Sequence, residues 1–552
     1  MSGEAFDLQA HARAMRERGY WTDVTLDQLL ARAIEKSPNK RALVAYRADA
    51  PGDGPVLSLT YAELGERVAR VAGSLRAMGV GAGDFVAVQL PNWWEFVVVS
   101  LACGRIGAIV NPLMPIFRER ELGFMLGFCD AKVFVVPDTF RGFDFASMAR
   151  GLQQSLPKLE QVVVVGGTGP DSFEALLSKG DGSTVPYGDS ASLKGDDLAV
   201  LMFTSGTTGE PKGVMHLCNT MVACTNALAN RFHLADDAVL LCCSPMGHMT
   251  GYAAVMVQSL HLGGTLILQD VWDPQRGVRI MAEEGVTHTA ASTPFLADIC
   301  NAVAAGAPRP ALRTFLCGGA PIPSMLIDRA AAELDLHVSS LWGMTEALAG
   351  TLTEPERAAE KSSSTDGRAV DGVEVRVVDD AGRPLPAGET GRLMVRGAQM
   401  FVGYYKRPEF PSFDAQGWFD TGDLAYADDE GYIRINGRTK DVLIRGGENV
   451  PVFEIENLLY KHPAVVDAAL VGYPDARLGE RGCAFVTLKP EAALDFAGVQ
   501  AWMAENKVAR QYWPEHLEVI DAMPRTASGK IQKFVLRERA KAFGSADGTN
   551  RA

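Results

Sequence analysis

A ten-residue segment rich in hydroxyl groups and glycine is the first candidate for chemistry in this chain. The segment, Thr204-Ser-Gly-Thr-Thr-Gly-Glu-Pro-Lys-Gly213, directly follows an apolar run, Leu198 to Phe203, that is typical of a buried strand. Glycines let a backbone turn tightly and bring its N–H groups close to an anion. The hydroxyls add donors, and Lys212 adds a positive charge. The segment indicates a polyphosphate-binding loop, although such a cluster alone is also typical of a surface turn.

This loop differs from the Walker A loop of P-loop kinases and GTPases. The Walker A pattern G-x-x-x-x-G-K-[ST] is absent from the chain. The pair Gly529-Lys530 near the C-terminus lacks the upstream glycine, because that position is Pro524. A nucleotide held by this chain would therefore be bound in another way.

Five further clusters carry groups that suit a nucleotide. Cys317 to Pro321 places two glycines after a strand, where backbone can approach a flat ring, and Leu341 to Glu346 offers an aromatic ring, a hydroxyl and a carboxylate able to hold Mg²⁺. Trp418 to Asp423 ends in an acceptor for ribose hydroxyls. Asn436 to Arg438 supplies a guanidinium fork, and Pro524 to Ile531 presents a lysine beside glycine. Each cluster alone has an ordinary structural explanation, but six in this order rarely coincide.

Composition restricts the class of protein. A chain of 552 residues is too long for one core, so more than one domain is expected. The formal net charge of −14 argues against a nucleic-acid partner. The nine cysteines are scattered without a C-x-x-C pair, which favours buried thiols in a reducing compartment. The N-terminus has no apolar core like that of a signal peptide, and no apolar run is long enough to span a membrane. These features predict a cytoplasmic protein without integral membrane association.

The elements that must position these clusters alternate between strand-like and helix-like through most of the first 430 residues. This alternation predicts layered α/β sheets with much parallel pairing. The stretch from Val373 to Tyr404 instead has short strands broken by Gly and Pro and predicts a β-rich subdomain. We expect a large N-terminal domain over residues 1–438, a small mobile α+β domain over 439–545, and a disordered tail over 546–552.

Together these motifs resemble the adenylate-forming superfamily of acyl-CoA synthetases, adenylation domains and luciferases. The phosphate-loop pattern T-S-G-T-T-G-x-P-K-G is matched at every specified position, and the G-A-P, G-x-T-E, T-G-D, G-R-x-K-D and P-R-T-x-S-G-K elements also match. The resemblance extends from Thr25 to Arg539. Trp342 stands where many members have tyrosine. Met15 to Trp21 and Pro245 to His248 are similar to cyclohexanecarboxylate–CoA ligases and medium-chain fatty acyl-CoA synthetases.

The resemblance implies a two-step ligation in which a carboxylate attacks ATP, pyrophosphate leaves, and a thiol then displaces AMP. Lys530 would bridge the acid and the α-phosphate, Thr345 would contact the α-phosphate, and Glu346 would coordinate Mg²⁺. Thr207 is a second expected metal contact. His248 would border the substrate carboxylate, with a packed core histidine as the alternative.

The resemblance also implies which residues bind ATP and coenzyme A. They are Thr204, Ser205, Gly206, Thr207, Thr208, Gly209 and Lys212 at the phosphates; Gly319, Ala320, Pro321 and Trp342 at the adenine; Asp423 and Arg438 at the ribose; Gly318, Gly343, Met344 and Ile435 beside them; Lys440 at the hinge of the mobile domain; and Arg445, Gly446 and Gly447 along the pantetheine arm.

The sequence gives less information about the acid substrate and the thiol acceptor than about the nucleotide. Met246, Met249, Met256, Ala347 and Leu348 predict an apolar pocket, which favours a neutral aliphatic, alicyclic or aromatic acid of short to medium length over an amino acid. Coenzyme A is the expected acceptor. A stand-alone enzyme that loads a separate carrier protein, light emission, and a catalytically silent nucleotide-binding sensor stay as alternatives. A homodimer is possible.

Overall fold

The protein is described by a computed structural model over residues 6–179, 185, 187, 191–204, 211–319, 322–408, 410, 413–438, 443–445, 448–475, 478–526 and 530–546. The helices of the N-terminal part are α1 (Leu8–Glu17), α2 (Leu26–Lys36), α3 (Tyr61–Ala77), α4 (Trp94–Ile106), α5 (Glu119–Phe128), α6 (Phe145–Ser155), α7 (Phe173–Lys179), α8 (Cys218–Arg231), α9 (Met249–Gly251), α10 (Gln258–Leu262), α11 (Pro274–Glu283), α12 (Thr293–Ala304), α13 (Ser324–Leu334) and α14 (Ala358–Lys361). A π-helix, Tyr252–Val257, joins α9 to α10, and a short 3₁₀ turn, Pro355–Arg357, precedes α14.

The strands of this part form three main sheets and one short hairpin among the described residues. The strands are β1 (Arg41–Tyr46), β2 (Leu57–Thr60), β3 (Phe85–Val88), β4 (Ile109–Pro112), β5 (Val133–Pro137), β6 (Thr139–Phe140), β7 (Phe143–Asp144), β8 (Gln161–Val165), β9 (Leu198–Thr204), β10 (Lys212–Leu217), β11 (Val239–Cys242), β12 (Thr265–Gln269), β13 (His288–Ala291), β14 (Thr314–Gly318), β15 (Val338–Met344), β16 (Leu348–Leu352), β17 (Arg368–Ala369), β18 (Val373–Val378), β19 (Gly391–Gly397), β20 (Phe419–Ala427) and β21 (Ile433–Arg438).

The predicted layered α/β architecture is confirmed. One sheet has the order β17-β16-β15-β14-β13-β11-β12-β1-β2, and its central strands from β15 to β1 run parallel. A second has the order β10-β9-β4-β3-β5-β8 and is parallel except for the β9–β10 pair. β3 and β5 are buried along their whole length, as expected for parallel strands covered by helices on both faces.

The predicted β-rich subdomain is larger than its sequence pattern indicated. β18, β19, β20 and β21 pair antiparallel in that order, so the sheet continues to Arg438 rather than stopping near Tyr404. β20 alternates buried and more exposed residues over most of its length, which is the pattern of a strand with one face on the core. The sequence pattern missed this extension because Gly and Asp residues interrupt β20, and Asn436-Gly437 interrupts β21.

The C-terminal part forms a separate small α+β unit. Its elements are β22 (Leu443–Arg445), β23 (Glu448–Val450), α15 (Val452–Tyr460), β24 (Val465–Asp475), β25 (Gly479–Leu488), α16 (Phe496–Glu505), a 3₁₀ turn (Arg510–Tyr512), β26 (His516–Val519) and α17 (Lys533–Ala546). β23-β22-β25-β24 are antiparallel neighbours, and β26 adds parallel to β25. The predicted boundary after Arg438 remains a prediction, because residues 439–442 lie outside the described residues. α17 extends to Ala546, and the tail proposed over 546–552 remains a prediction, because residues 547–552 lie outside the described residues.

Local sequence signals explain where several helices begin. Thr25 and Gln28 form a capping box at the start of α2, and Thr60 with Glu63 does the same for α3. Asp273 caps α11, which has proline in its first turn. Such caps satisfy backbone N–H groups that would otherwise lack partners within the helix. None of the described helices is long and apolar enough to cross a membrane.

Candidate active site

The candidate active site is a cleft of about 2320 Å³ between the N-terminal sheets and the C-terminal unit. The end of β14, the turn after β15, and β20 line one side, and residues of α15, β24 and the segment before α17 line the other. Ligand sites of parallel α/β sheets commonly lie at such carboxyl ends of strands. The predicted site residues that line it are Thr204, Lys212, His248, Gly318, Gly319, Trp342, Gly343, Met344, Thr345, Glu346, Asp423, Ile435 and Lys530.

Lys530 extends from the C-terminal unit into this cleft. A Cβ atom built on Gly319 would lie 3.1 Å from Cε of Lys530, so the absence of a side chain there leaves room for the lysine. Gly319 also has a φ of +84°, a backbone conformation that favours glycine. A small turn holds the lysine, because Thr526 N–H donates to the Lys530 carbonyl at 2.7 Å and Lys530 N–H donates to Thr526 Oγ1 at 3.0 Å.

His248 faces the same space with an uncharged ring. Burial, together with the nearby positive charge of Lys530, lowers its pKa to about 4. The main-chain N–H of Thr250 donates to Nδ1 of His248 at 3.2 Å, so in the neutral ring the proton lies on Nε2. A neutral imidazole with Nε2–H can donate a hydrogen bond to a carboxylate oxygen. The residue is only partly buried, and it forms part of the cleft wall.

Two residues that the sequence did not single out hold the Thr345–Glu346 turn. His216 Nε2 donates to the Thr345 carbonyl at 2.7 Å, and burial lowers the pKa of His216 to about 4, which keeps the ring neutral. The hydroxyl of Tyr404 donates to Oε1 of Glu346 at 2.8 Å, and the Glu346 carbonyl accepts from Phe401 N–H. The turn is thus fixed from β10 and from the segment that follows β19. A histidine in the apolar strand just after Lys212 was the available signal for His216.

Trp342 and Asp423, predicted to frame the adenine and to bind the ribose, are joined to each other. The indole Nε1–H donates to Oδ2 of Asp423 at 2.8 Å in a buried setting. Gly350 lies against the indole, since a Cβ there would approach the ring within 2.3 Å. Asp423 lies opposite Arg438 in the β20–β21 pairing. The hydrogen bond fixes the plane of the ring and the direction of the carboxylate together.

The two ends of the predicted phosphate loop lie side by side. Thr204 at the end of β9 pairs with Lys212 at the start of β10, so the loop between them is closed by the strand ladder. The Lys212 ammonium lies 4.0 Å from the ring centre of Phe410 and 4.7 Å from that of Tyr404. Aromatic faces attract a cation without neutralising its charge. Lys212 is therefore held at the cleft with its charge available to an anion.

The remaining predicted positions either do not line the cleft or lie outside the described part of the chain. Arg445 pairs with Glu515 inside the C-terminal sheet and is not among the described residues that line the cleft. Arg438 belongs to β21, but its side chain is not described. The predicted positions outside the described residues are Ser205, Gly206, Thr207, Thr208, Gly209, Ala320, Pro321, Lys440, Gly446 and Gly447.

Asp366 is a further carboxylate in the cleft that the sequence gave no reason to select. Its Oδ2 accepts from Ile435 N–H at 2.8 Å. Burial raises its pKa, and the neighbouring charge of Asp423 raises it as well. The residue lies in a Ser- and Thr-rich stretch that is typical of an ordinary loop. Only the folded structure shows that its carboxylate lines the cleft.

We call the apolar part of the cleft wall the apolar arm. Met249 and Leu348 line it, as predicted, but Met246, Met256 and Ala347 pack into the core. The π-helix contributes two small side chains, and strands β13, β14 and β16 contribute the rest of the wall. The apolar wall residues are Ala253, Ala254, Ala290, Ala291, Leu316 and Ala349.

The donor set at Glu346 suits Mg²⁺ bound together with nucleotide phosphates. Mg²⁺ in such sites keeps several waters and takes one or two protein carboxylates in addition to phosphate oxygens. Across the described part of the chain, no group of three or more His, Cys, Asp or Glu residues forms a metal site. Glu346 is only 6% exposed and lines the cleft, so it can supply one carboxylate oxygen of this kind.

The lysine, the Thr–Glu turn and the uncharged histidine face one cleft, and this arrangement suits an adenylate-forming acid–thiol ligase. Family models agree. Residues 30–405 match the AMP-binding enzyme model, and residues 454–530 match the AMP-binding enzyme C-terminal domain. The chain belongs to the AMP-binding enzyme family.

Similar proteins cover nearly the whole chain. The medium-chain fatty-acid–CoA ligase of Escherichia coli K12 is 37% identical over 537 residues, which are 97% of this chain and 93% of that protein. A salicylyl-CoA synthase / salicylate adenylyltransferase from Streptomyces is 34% identical over 96% of both chains. Among solved structures, ATP-bound MatB from Rhodopseudomonas palustris superimposes with a TM-score of 0.83 at 28% identity, covering 94% of this chain and 100% of that one.

Proposed function

We propose that this protein is an AMP-forming acyl-CoA synthetase that activates a neutral carboxylic acid with ATP and transfers the acyl group to coenzyme A. The observation that carries the proposal is the convergence of Lys530, His248 and the Thr345–Glu346 turn on one cleft with an apolar arm. The named activities of the relatives, a fatty-acid–CoA ligase and a salicylyl-CoA synthase, support the same reaction.

In the first step, a carboxylate oxygen of the acid attacks the α-phosphorus of ATP. The bond from that phosphorus to the bridging oxygen breaks, and pyrophosphate leaves with the electron pair. Lys530 donates to the α-phosphate and the carboxylate together, and neutral His248 donates through Nε2 to the acid. Glu346 would hold Mg²⁺, which supplies positive charge beside the phosphates when bound. Lys212 faces the leaving pyrophosphate from the end of the loop.

In the second step, the sulfur of coenzyme A attacks the acyl carbonyl carbon. The bond from that carbon to the phosphate oxygen breaks, AMP leaves with the electron pair, and the thiol proton passes to solvent. Attack at the α-phosphorus, which Lys530 assists in this proposal, has no counterpart in this step. We therefore propose that the chain needs the lysine in the cleft for the first step only.

The apolar arm supports a substrate class. Its wall is built from alanine, leucine and methionine side chains, which match a hydrocarbon or an unsubstituted ring better than a hydroxylated one. We propose short to medium aliphatic, alicyclic or simple aromatic acids as substrates. All the cysteines are buried free thiols, which supports a reducing, cytoplasmic setting.

Replacing Lys530 by alanine tests the proposal. Carboxylate-dependent exchange of labelled pyrophosphate into ATP, measured across a panel of acids, should fall by a factor of about 100 or more, because a preorganised donor to the reacting phosphate is lost. Coenzyme A-dependent release of AMP from supplied acyl-adenylate should stay within about twofold, since that step does not use the lysine. Wild-type protein that exchanges pyrophosphate with none of the acids, or equal loss of both steps in Lys530→Ala, would contradict the assignment.

A further inference from the structure

Arg434 lies between the two parts of the protein. It belongs to β21, the last strand before residues 439–442, and its side chain is only 12% exposed. Nη1 lies 3.6 Å from Oδ1 of Asp366 on the N-terminal side. Cζ lies 5.0 Å from the ring centre of Phe453, in the first turn of α15 on the C-terminal side. One guanidinium group therefore contacts a carboxylate of one part and an aromatic ring of the other.

The N-terminal side of this contact is firmly anchored. Asp366 N–H donates to the Ile433 carbonyl at 2.8 Å, and Oδ2 of Asp366 accepts from Ile435 N–H at 2.8 Å. Asp366 is thus attached to the residues on both sides of Arg434 in β21. With the carboxylate fixed in this way, the guanidinium group has little freedom and points toward α15.

The C-terminal side of the contact leads to Lys530. α15 contains Phe453 in its first turn and also carries Glu456. Nζ of Lys533 lies 2.7 Å from Oε1 of Glu456, and Lys533 opens α17 directly after the Lys530 segment. A shift of α15 against β21 would therefore move the segment that places Lys530 beside Gly319.

We propose that Arg434 is a positioning residue for the adenylation step: through Phe453 it holds the C-terminal part in the orientation that puts Lys530 in the cleft. This inference rests on the proposed function, because it assigns the contact to one of its two steps. The Arg434–Phe453 contact stabilises the orientation needed for attack on ATP. It contributes nothing to attack of a thiol on an acyl-adenylate that is already formed.

The chain offers a closely matched control. Nη2 of Arg376 lies 3.6 Å from Oδ2 of Asp414, and its Cζ lies 4.1 Å from the ring centre of Trp418. This second Asp–Arg–aromatic cluster has the same chemistry but belongs wholly to the N-terminal part. Arg376→Gln therefore removes an equivalent contact without touching the junction between the two parts.

The experiment compares both half-reactions in the full-length protein for Arg434→Gln, Phe453→Ala and Arg376→Gln. Loss of a cation–π contact of this kind changes the equilibrium constant that it stabilises by about 2- to 30-fold. We expect Arg434→Gln and Phe453→Ala each to lower pyrophosphate exchange by that factor, while thioester formation from supplied acyl-adenylate stays within about twofold of wild type. Arg376→Gln should leave both rates near wild type.

Conservative and double variants separate positioning from loss of folding. Arg434→Lys and Phe453→Tyr keep the cation and the ring, so each should recover most of the exchange activity. The double variant Arg434→Gln/Phe453→Ala should lose little more than either single variant, because both changes remove one contact. Equal loss of both half-reactions, additive losses in the double variant, or an exchange loss no larger than that of Arg376→Gln would overturn the inference. Wild-type protein without either half-reaction would instead contradict the proposed function.

Discussion

At the scale of the residue, the Tyr404–Glu346 hydrogen bond connects a side chain that the sequence did not indicate with one that it did. The phenol is buried, and burial together with the Glu346 carboxylate raises its pKa, so it remains a proton donor at any physiological pH. The hydrogen bond from the Tyr404 hydroxyl to Oε1 holds the Glu346 carboxylate in one orientation. If Glu346 holds Mg²⁺ as proposed, the tyrosine would orient its carboxylate before ATP binds.

Tyr404→Phe removes this donor while keeping the ring that lies beside Lys212. We expect the Mg²⁺ concentration for half-maximal pyrophosphate exchange to rise about 10-fold or more, since a hydrogen bond to a charged group is worth about 1.5 to 3 kcal/mol. The rate at saturating Mg²⁺ should change much less. A titration of exchange rate against Mg²⁺ measures both quantities. An unchanged half-maximal concentration would show that Tyr404 has no part in preparing the carboxylate.

At the scale of the element, the sequence indicated the buried strand β9 but not the π-helix Tyr252–Val257. β9 was predicted to within one residue, because a buried strand of this kind is a continuous apolar run. The π-helix has no comparable signal, since its wider turn depends on tertiary packing rather than on residue type. Its effect is to place Ala253 and Ala254 in the wall of the apolar arm, whereas the predicted Met256 packs into the core.

Ala254→Leu tests whether this element limits the size of the acid. Three extra carbon atoms in the apolar arm should shorten the longest acid that is activated, because a close-packed wall cannot absorb the added volume. We expect exchange activity with the longest accepted acid to fall about 10-fold or more, with acids several carbons shorter changed less than threefold. Exchange rates measured over a homologous series of straight-chain acids give the comparison. A uniform decrease along the series would place Ala254 outside the acyl pocket.

At the scale of the whole molecule, several motifs lie at strand ends on the N-terminal side of the cleft, because Thr204 ends β9, Gly318 ends β14 and Thr345 follows β15. Lys530 comes from the C-terminal unit, so its place beside Gly319 depends on how the two parts pack together. Contacts such as Arg434 to Phe453 and His216 to Thr345 could not be predicted. They join elements whose relative placement depends on the packing of the whole chain, and a single arginine or histidine in a strand has no local signature.

The buried histidines give the whole molecule a predictable response to acid. Burial lowers the pKa of both His216 and His288 to about 4 from the usual 6.5. Between those values the unfolded chain binds a proton at each site and the folded chain does not, so the free energy of unfolding decreases as pH falls from 6.5 toward 4. Each such histidine contributes a slope of about 1.4 kcal/mol per pH unit. Any other histidine whose pKa is lowered by burial also makes the free energy of unfolding decrease as the pH falls.

His288→Gln separates this contribution from the titration of carboxylates, which also weakens the fold in acid. His288 lies in β13 and is 6% exposed, and its Nδ1 contacts only the hydroxyl of Thr287 among the hydrogen bonds of the described residues. The variant should show a smaller fall in thermal midpoint between pH 6.5 and 4.5 than the parent protein, because glutamine does not titrate. His337→Gln, at an exposed position, should reproduce the parent's pH dependence. If both variants followed the parent, the acid response would have to come from other groups. If only His288→Gln flattened it, the cause would be the cost of placing a charged imidazole inside the parallel sheet.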